Sequence, residues 1–116
     1  MTGGRLLTIV ETPQFLRRAA EIGLDEAERN ELITLLATDP EAGVSLGGGL
    51  WKMRVARMGG GKSGGYRVLH FYRADDLPLF LLTVFAKNEQ ANISAAEKKE
   101  LIAICDEIAK DYRRRK

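Results

Sequence analysis

The sequence predicts an α+β domain: a twisted, mostly antiparallel sheet with helices packed on it, in the order β-α-α-β-β-β-α. Three observations lead there. Apolar residues recur at helical spacing over residues 13–38 and 94–112, and at every second position over residues 51–57 and 66–73. Helix-start signals precede each helical stretch. The connections between period-two segments are turn-sized, apart from one glycine-rich loop. At 116 residues and 45% apolar composition, residues 1–116 make one domain, enough for a single two-layer core.

The elements follow in order. Residues 6–10 are apolar except Thr8 and read as a short strand. Thr12 is a good N-cap and Pro13 fits the first helical position, so a helix runs over residues 13–21 until Gly23 stops it. Asp25 and Glu28 form a capping box that starts a second helix. That helix has Leu24, Glu28, Leu32, Leu35 and Leu36 at helical spacing and ends at Asp39-Pro40. In residues 51–57, Trp51, Met53 and Val55 alternate with Lys52, Arg54 and Ala56, as in a half-buried strand. In residues 66–73, Arg67, Leu69, Phe71 and Arg73 share one face, and Tyr66, Val68, His70 and Tyr72 the other. Asp75-Asp76 makes a turn, and residues 79–87 are apolar on both faces, which suits a central strand. Ser94 and Glu97 form another capping box, and the helix after it lines up Leu101, Ile104, Cys105, Ile108 and Tyr112.

Charge is segregated along this framework. The net charge is only +2, yet between Glu41 and Asp75 there are Lys52, Arg54, Arg57, Lys62, Arg67 and Arg73 and no acid at all. These cations fall on two strands and on the loop Met58-Gly-Gly-Gly-Lys-Ser-Gly-Gly65 between them. An uncompensated cationic sheet surface repels itself, so a polyanion is the expected partner, a phosphate backbone ahead of an acidic protein or a plainly solvated face. A second basic cluster, Arg113-Arg-Arg-Lys116, closes the chain and reads by itself as a solvated end.

Several function classes fall away. The string Ala56-Arg-Met-Gly-Gly-Gly-Lys-Ser63 fits a relaxed nucleotide-binding P-loop, and Gly59-Gly-Gly-Lys-Ser-Gly64 fits G-x-G-x-x-G. Both chemistries need the glycine loop to run into a helix whose amides face the phosphates, whereas here it runs into Tyr66-Arg-Val-Leu-His-Phe-Tyr72, a strand. His70 is the sole histidine and alternates with packing residues, so neither a histidine pair nor a histidine-rich metal site is available, and no metal or cofactor is expected. Cys105 is the sole cysteine, which excludes an internal disulfide and suits a buried thiol in a reducing compartment. No signal-peptide pattern opens the chain, and its longest apolar run, residues 77–86, is too short to span a bilayer, so a soluble, cytoplasmic protein is expected.

A basic strand pair can hold a nucleic acid passively, or it can also stabilise a pentavalent phosphate under attack by a ribose 2′-hydroxyl. In the second case a lysine among other cations gives up its proton more readily, which makes Lys52 the candidate base, while an arginine stays charged and acts as a clamp.

The string Trp51-Lys-Met-Arg-Val-Ala-Arg-Met-Gly-Gly-Gly-Lys-Ser-Gly-Gly-Tyr-Arg-Val68, followed by Phe85-Ala-Lys-Asn-Glu89 and Ser94-Ala-Ala-Glu-Lys-Lys99, resembles the RelE/HigB group of bacterial type II toxins. With the helix order, the resemblance covers nearly the whole chain. It implies a RelE-like fold and a cytoplasmic toxin that acts as an mRNA interferase: a ribosome-dependent endoribonuclease that cuts mRNA in the A site and so inhibits translation. It also implies a cognate antitoxin, often of the helix-turn-helix type, and, as further partners, the ribosome and mRNA. Carried over residue by residue, Lys52 and Arg54 match basic side chains on the strand entering the site, and Arg67 matches the phosphate-stabilising arginine. Lys87 falls close to the residue that protonates the leaving 5′-oxygen, and Arg57, Lys62, Ser63 and Arg73 fit as RNA contacts. Phe85 stands where many relatives have tyrosine; it can stack on a base but cannot transfer a proton, and Tyr66 and Tyr72 are the tyrosines nearest in sequence. Two alternatives stay open on residue grounds: a non-catalytic nucleic-acid-binding or regulatory module of the same fold, and a ParE-like relative that poisons DNA gyrase, against which the G-K-S-G-G-x-R string argues.

Overall fold

The computed structural model describes residues 7–56, 65–73, 76–86 and 93–114. Its elements are β1 (Ile9–Glu11), α1 (Pro13–Glu21), α2 (Glu26–Thr38), β2 (Val44–Gly47), β3 (Leu50–Val55), β4 (Tyr66–Phe71), β5 (Leu79–Ala86) and α3 (Ala95–Arg114). The five strands form one sheet in the order β1-β5-β4-β3-β2, with β1 parallel to β5 and the other pairs antiparallel. The α+β reading and the mostly antiparallel sheet hold, with β2 as an additional strand.

Helix boundaries follow local chemistry. The Thr12 hydroxyl accepts from the Phe15 amide and donates to the Leu81 carbonyl at 2.7 Å, so one side chain caps α1 and fastens it to β5. Asp25 and Glu28 make both halves of the capping box of α2, and Ser94 and Glu97 do the same for α3. The strand limits differ more. β1 begins three residues later than expected and takes in Glu11, because its partner on β5 spans only Leu79 to Leu81. β2 lies in a glycine-flanked segment whose apolar alternation is only two residues long, Val44 and Leu46, and it forms because β3 offers an open edge. Gly43 makes that approach possible: at φ +97° it lies so close to β3 that a Cβ there would sit 2.2 Å from the Lys52 carbonyl oxygen.

The helices cover both faces of the sheet, so the single two-layer core becomes three layers with two core clusters. Under α1 and α2, Phe15, Ala19, Leu24, Leu32 and Leu36 pack on Met53, Tyr66, Val68, Leu79, Leu81 and Val84. Under α3, Cys105 and Ala109 pack on Leu50, Leu69, Phe71, Leu77, Leu82 and Phe85. Burial of this kind contributes roughly 1.5–3 kcal/mol for each large apolar side chain. All six residues of β4 are buried, since it has strands on both sides and helices above and below. The stripe on α3 is rotated from the expected one: Leu101, Ile102, Ile108 and Ala109 flank Cys105 on the sheet, leaving Ile104 and Tyr112 exposed. On α2, Leu35 likewise faces outward while Leu32 and Leu36 are buried. Helical spacing fixes a stripe only to within about one residue's rotation, and the packing partner selects the centre.

Candidate functional site

The cationic strands meet in a fixed register. β3 and β4 pair so that Arg54 stands directly opposite Arg67, and on the next strand Arg67 stands opposite Phe85. One rung of three strands therefore reads Arg54–Arg67–Phe85, and the rung two residues along reads Lys52–Leu69–Thr83 on the same face. Directly opposed side chains on an antiparallel pair have Cβ atoms roughly 5 Å apart, and like charges there destabilise the sheet. Arg67 is only 8% exposed, Lys52 is half-buried and Arg54 is exposed. Among the described residues, neither Arg54 nor Arg67 has a carboxylate at ion-pair distance. A largely buried guanidinium thus faces a second one, with no acid at ion-pair distance of either among the described residues.

Burial gives Arg67 a place in the packed sheet as well as a charge. Phe85 is 5% exposed and sits in the core cluster under α3, so its ring fills the core and offers no open face for a base. Beside it lies a groove of about 690 Å³ between α1 and α3, walled by Leu82, Phe85, Leu101, Ile104 and Ile108. This groove is mostly apolar, with Arg18 as its one lining cation among the described residues, and Arg18 donates to the Val84 carbonyl and pairs with Glu21.

Arg73 belongs elsewhere. It lies six residues beyond Arg67, roughly 20 Å along an extended chain. There its guanidinium donates to Asp106 and to the Gly48 carbonyl, each at 2.7 Å, and covers the Phe71 ring at 5.2 Å. It joins the β2–β3 turn to α3. The loop cations Arg57 and Lys62, together with Ser63 and Lys87, lie outside the described residues. The structure thus brings together Arg54, Arg67 and Phe85, with Lys52 one rung away, and separates Arg73 from them.

The other reactive side chains are accounted for by packing. His70 is fully buried on the opposite face from Arg67, stacked on Trp51 with ring centroids 6.4 Å apart, and its Nε2–H donates to the Pro40 carbonyl at 2.9 Å. Burial lowers its pKa, opposed by the Pro40 hydrogen bond and by Asp39, and the neutral ring leaves Nδ1 without a partner. It is a fastening for the loop after α2. Burial also pushes the Cys105 thiol up to about 11, so it stays protonated. No group of three or more His, Cys, Asp or Glu among the described residues is placed to hold a metal ion, and no described helix is long and apolar enough to cross a membrane.

The comparison with known families accords with this layout. The family model for the RelE toxin of the RelE / RelB toxin-antitoxin system matches residues 8–115. The chain belongs to the RelE toxin family. As a RelE-type toxin it is the toxin side of a toxin-antitoxin system, and an antitoxin partner follows from that membership. Its fold is similar to that of the E. coli toxin RelE, solved in the free state as a double arginine-to-alanine mutant, with a TM-score of 0.50, 14% identity, and coverage of 75% of this chain and 90% of that one. Residue reasoning had found the cations of this toxin but not their opposition. The signal lies in the hairpin register, where Leu50 pairs with Phe71 and every later pair follows from it, and that register is set by pairing and not by composition.

Proposed function

We propose that this RelE-type toxin is a ribosome-dependent endoribonuclease that cuts mRNA in the A site by 2′-hydroxyl attack and so inhibits translation in the cytoplasm. The observation that carries the reading is the Arg54–Arg67 rung, two opposed guanidiniums without a carboxylate, one of them buried. A phosphodiester seated there relieves their repulsion in the ground state. The extra negative charge of the pentavalent transition state relieves it further, which is the differential binding that catalysis needs. Charge-assisted, bidentate contacts from Arg67 hold the phosphoryl oxygens in place.

In this scheme the 2′-oxygen bonds to phosphorus as the bond from phosphorus to the 5′-oxygen breaks. The 2′-hydroxyl proton passes to Lys52 as base, and the leaving 5′-oxygen takes a proton from Lys87. The products are a 2′,3′-cyclic phosphate and a free 5′-hydroxyl. Arg54 supports the same phosphate from the facing strand, and Arg57, Lys62 and Ser63 hold the RNA beside it. Phe85 and Arg73 act through the framework. Phe85 fills the floor beneath the rung, and Arg73 secures α3. The antitoxin, of the helix-turn-helix type, opposes the activity either by covering the cationic face or by its bulk.

The deciding experiment is mapping of mRNA 5′ ends after brief expression of the wild type and of Arg67→Gln. Cuts in register with translated codons, lost in the variant while it remains folded, are expected. Cuts without reading-frame register, or an unchanged pattern in folded Arg67→Gln, overturn the assignment.

A further inference from the structure

We propose that the C-terminal end of α3 carries a second, sequence-independent phosphate-backbone contact formed by Lys110, Arg113 and Arg114, separate from the arginine rung. These residues open onto a concavity of about 570 Å³ whose remaining lining is Arg73, Asp106 and Ala109. Among the described residues, four cations and Asp106 line one opening at the far end of the sheet from Arg67, with Asp76 and Asp111 at its outer edge beside Arg113 and Arg114. The helix macrodipole favours basic residues in a last turn, which accounts for Arg113 and Arg114 being there, but not for their convergence with Lys110 and the strand-exit arginine on one concave surface.

The ion pairs at this end divide into two kinds. Arg73 and Asp106 are close at 2.7 Å and form a fixed floor, with the arginine also held by the Gly48 carbonyl. The outer pairs are loose. Arg113 donates from Nε and Nη2 to the two Asp76 oxygens, each at a long 3.4 Å and with both side chains about half exposed, and Arg114 stands 4.0 Å from Asp111 with both more than half exposed. Exposed pairs of this sort contribute roughly 0–1 kcal/mol and are readily exchanged. A phosphate offers an arginine a bidentate, charge-assisted partner, so backbone phosphates displace such carboxylates at little cost. The floor holds the end of α3 against the sheet, and the rim of Lys110, Arg113 and Arg114 remains available. A contact here takes a different stretch of RNA from the one in the rung and adds grip without chemistry.

The inference rests on the proposed function only for the identity of the polyanion, and its test measures binding and not cleavage. The probe is a fluorescently labelled single-stranded RNA with 2′-O-methyl groups, which no 2′-hydroxyl attack can cut, titrated against the full chain at several salt concentrations. The Lys110→Gln/Arg113→Gln/Arg114→Gln variant should bind less tightly and show a salt dependence shallower by about two units, since each cation contributes roughly 0.7 for a single strand. A charge-keeping variant, Arg113→Lys/Arg114→Lys, should retain the wild-type slope. Unchanged slope and affinity in the folded triple variant overturn the contact. So does equal loss in the charge-keeping variant, which would mean that structure and not charge was removed. Polyglutamate competing for the wild type as well as for neither variant would reassign the surface to an acidic protein, and equally overturns it. Failure here leaves the mapped mRNA cuts untouched, and loss of cuts leaves this slope untouched.

Discussion

The two ends of β4 each carry an arginine on the same face, and the two arginines have opposite surroundings. Arg67 enters the strand buried, opposed by Arg54 and without an acid among the described residues. Arg73 follows the strand exposed and is satisfied three ways, by Asp106, by the Gly48 carbonyl and by the Phe71 ring. The same residue type is a structural clasp where its charge is answered within the chain and, under the proposed function, a binding element where it is not. Local stability is given up at one end, in that opposed guanidiniums cost sheet energy, and is consolidated at the other.

That contrast can be broken at several points. The largest effect is expected in the apolar third of the functional rung. Phe85→Ala should cost about 3–5 kcal/mol of unfolding free energy by emptying the core under α3, measured by urea denaturation. A folded variant of nearly wild-type stability would mean that the ring serves RNA and not the core. Next comes Arg67→Met, which should lower mRNA cleavage by roughly 100- to 1,000-fold, the usual loss when one transition-state contact is removed. Its melting temperature should be equal to or above that of the wild type, because a repelling pair is replaced by an apolar stem. A clear drop in melting temperature would show that Arg67 holds the sheet as Arg73 does.

At the other end, Arg73→Gln should cost about 1 kcal/mol, the scale of a partly exposed pair with one extra hydrogen bond, and should leave the positions of the mRNA cuts unchanged. A lost cutting pattern at full stability would dissolve the distinction between the two arginines. The smallest effect concerns His70, on the opposite face between the two ends. Its folded pKa is lowered, so the unfolded chain takes up a proton near pH 6.5 while the folded chain does not. Its contribution is complete above that pH and declines as pH falls below it, by at most about 1.4 kcal/mol per unit. Denaturation of wild type and His70→Phe at pH 7.5 and 5.5 should therefore show the wild type losing more stability on acidification. The Trp51 ring stacked on His70 gives a fluorescence signal for the same event.

Much of this was legible without coordinates, and the reasons are local. Thr12-Pro13, Asp25 with Glu28, and Ser94 with Glu97 mark helix starts through hydrogen bonds that span three residues, so sequence alone places α1, α2 and α3 within a residue or so. The alternation along residues 66–72 assigned both faces of β4 correctly, because strand periodicity needs no partner to be read. The acid-free cationic stretch was legible for the same reason, as charge excess is a property of composition.

What only the tertiary structure decided depends on which surfaces meet. β2 exists because β3 has an edge to offer, and the two-residue alternation of Val44 and Leu46 is too short to announce it alone. Ile104 and Tyr112 are exposed because the sheet selects the neighbouring stripe of α3. The hairpin register sets Arg54 against Arg67, and Asp106, thirty-three residues from Arg73, takes that arginine out of the set. Sequence by itself counted the positive charges. Pairing across strands and helices determined which were answered, since electrostatic compensation depends on distance through space and composition carries no distances.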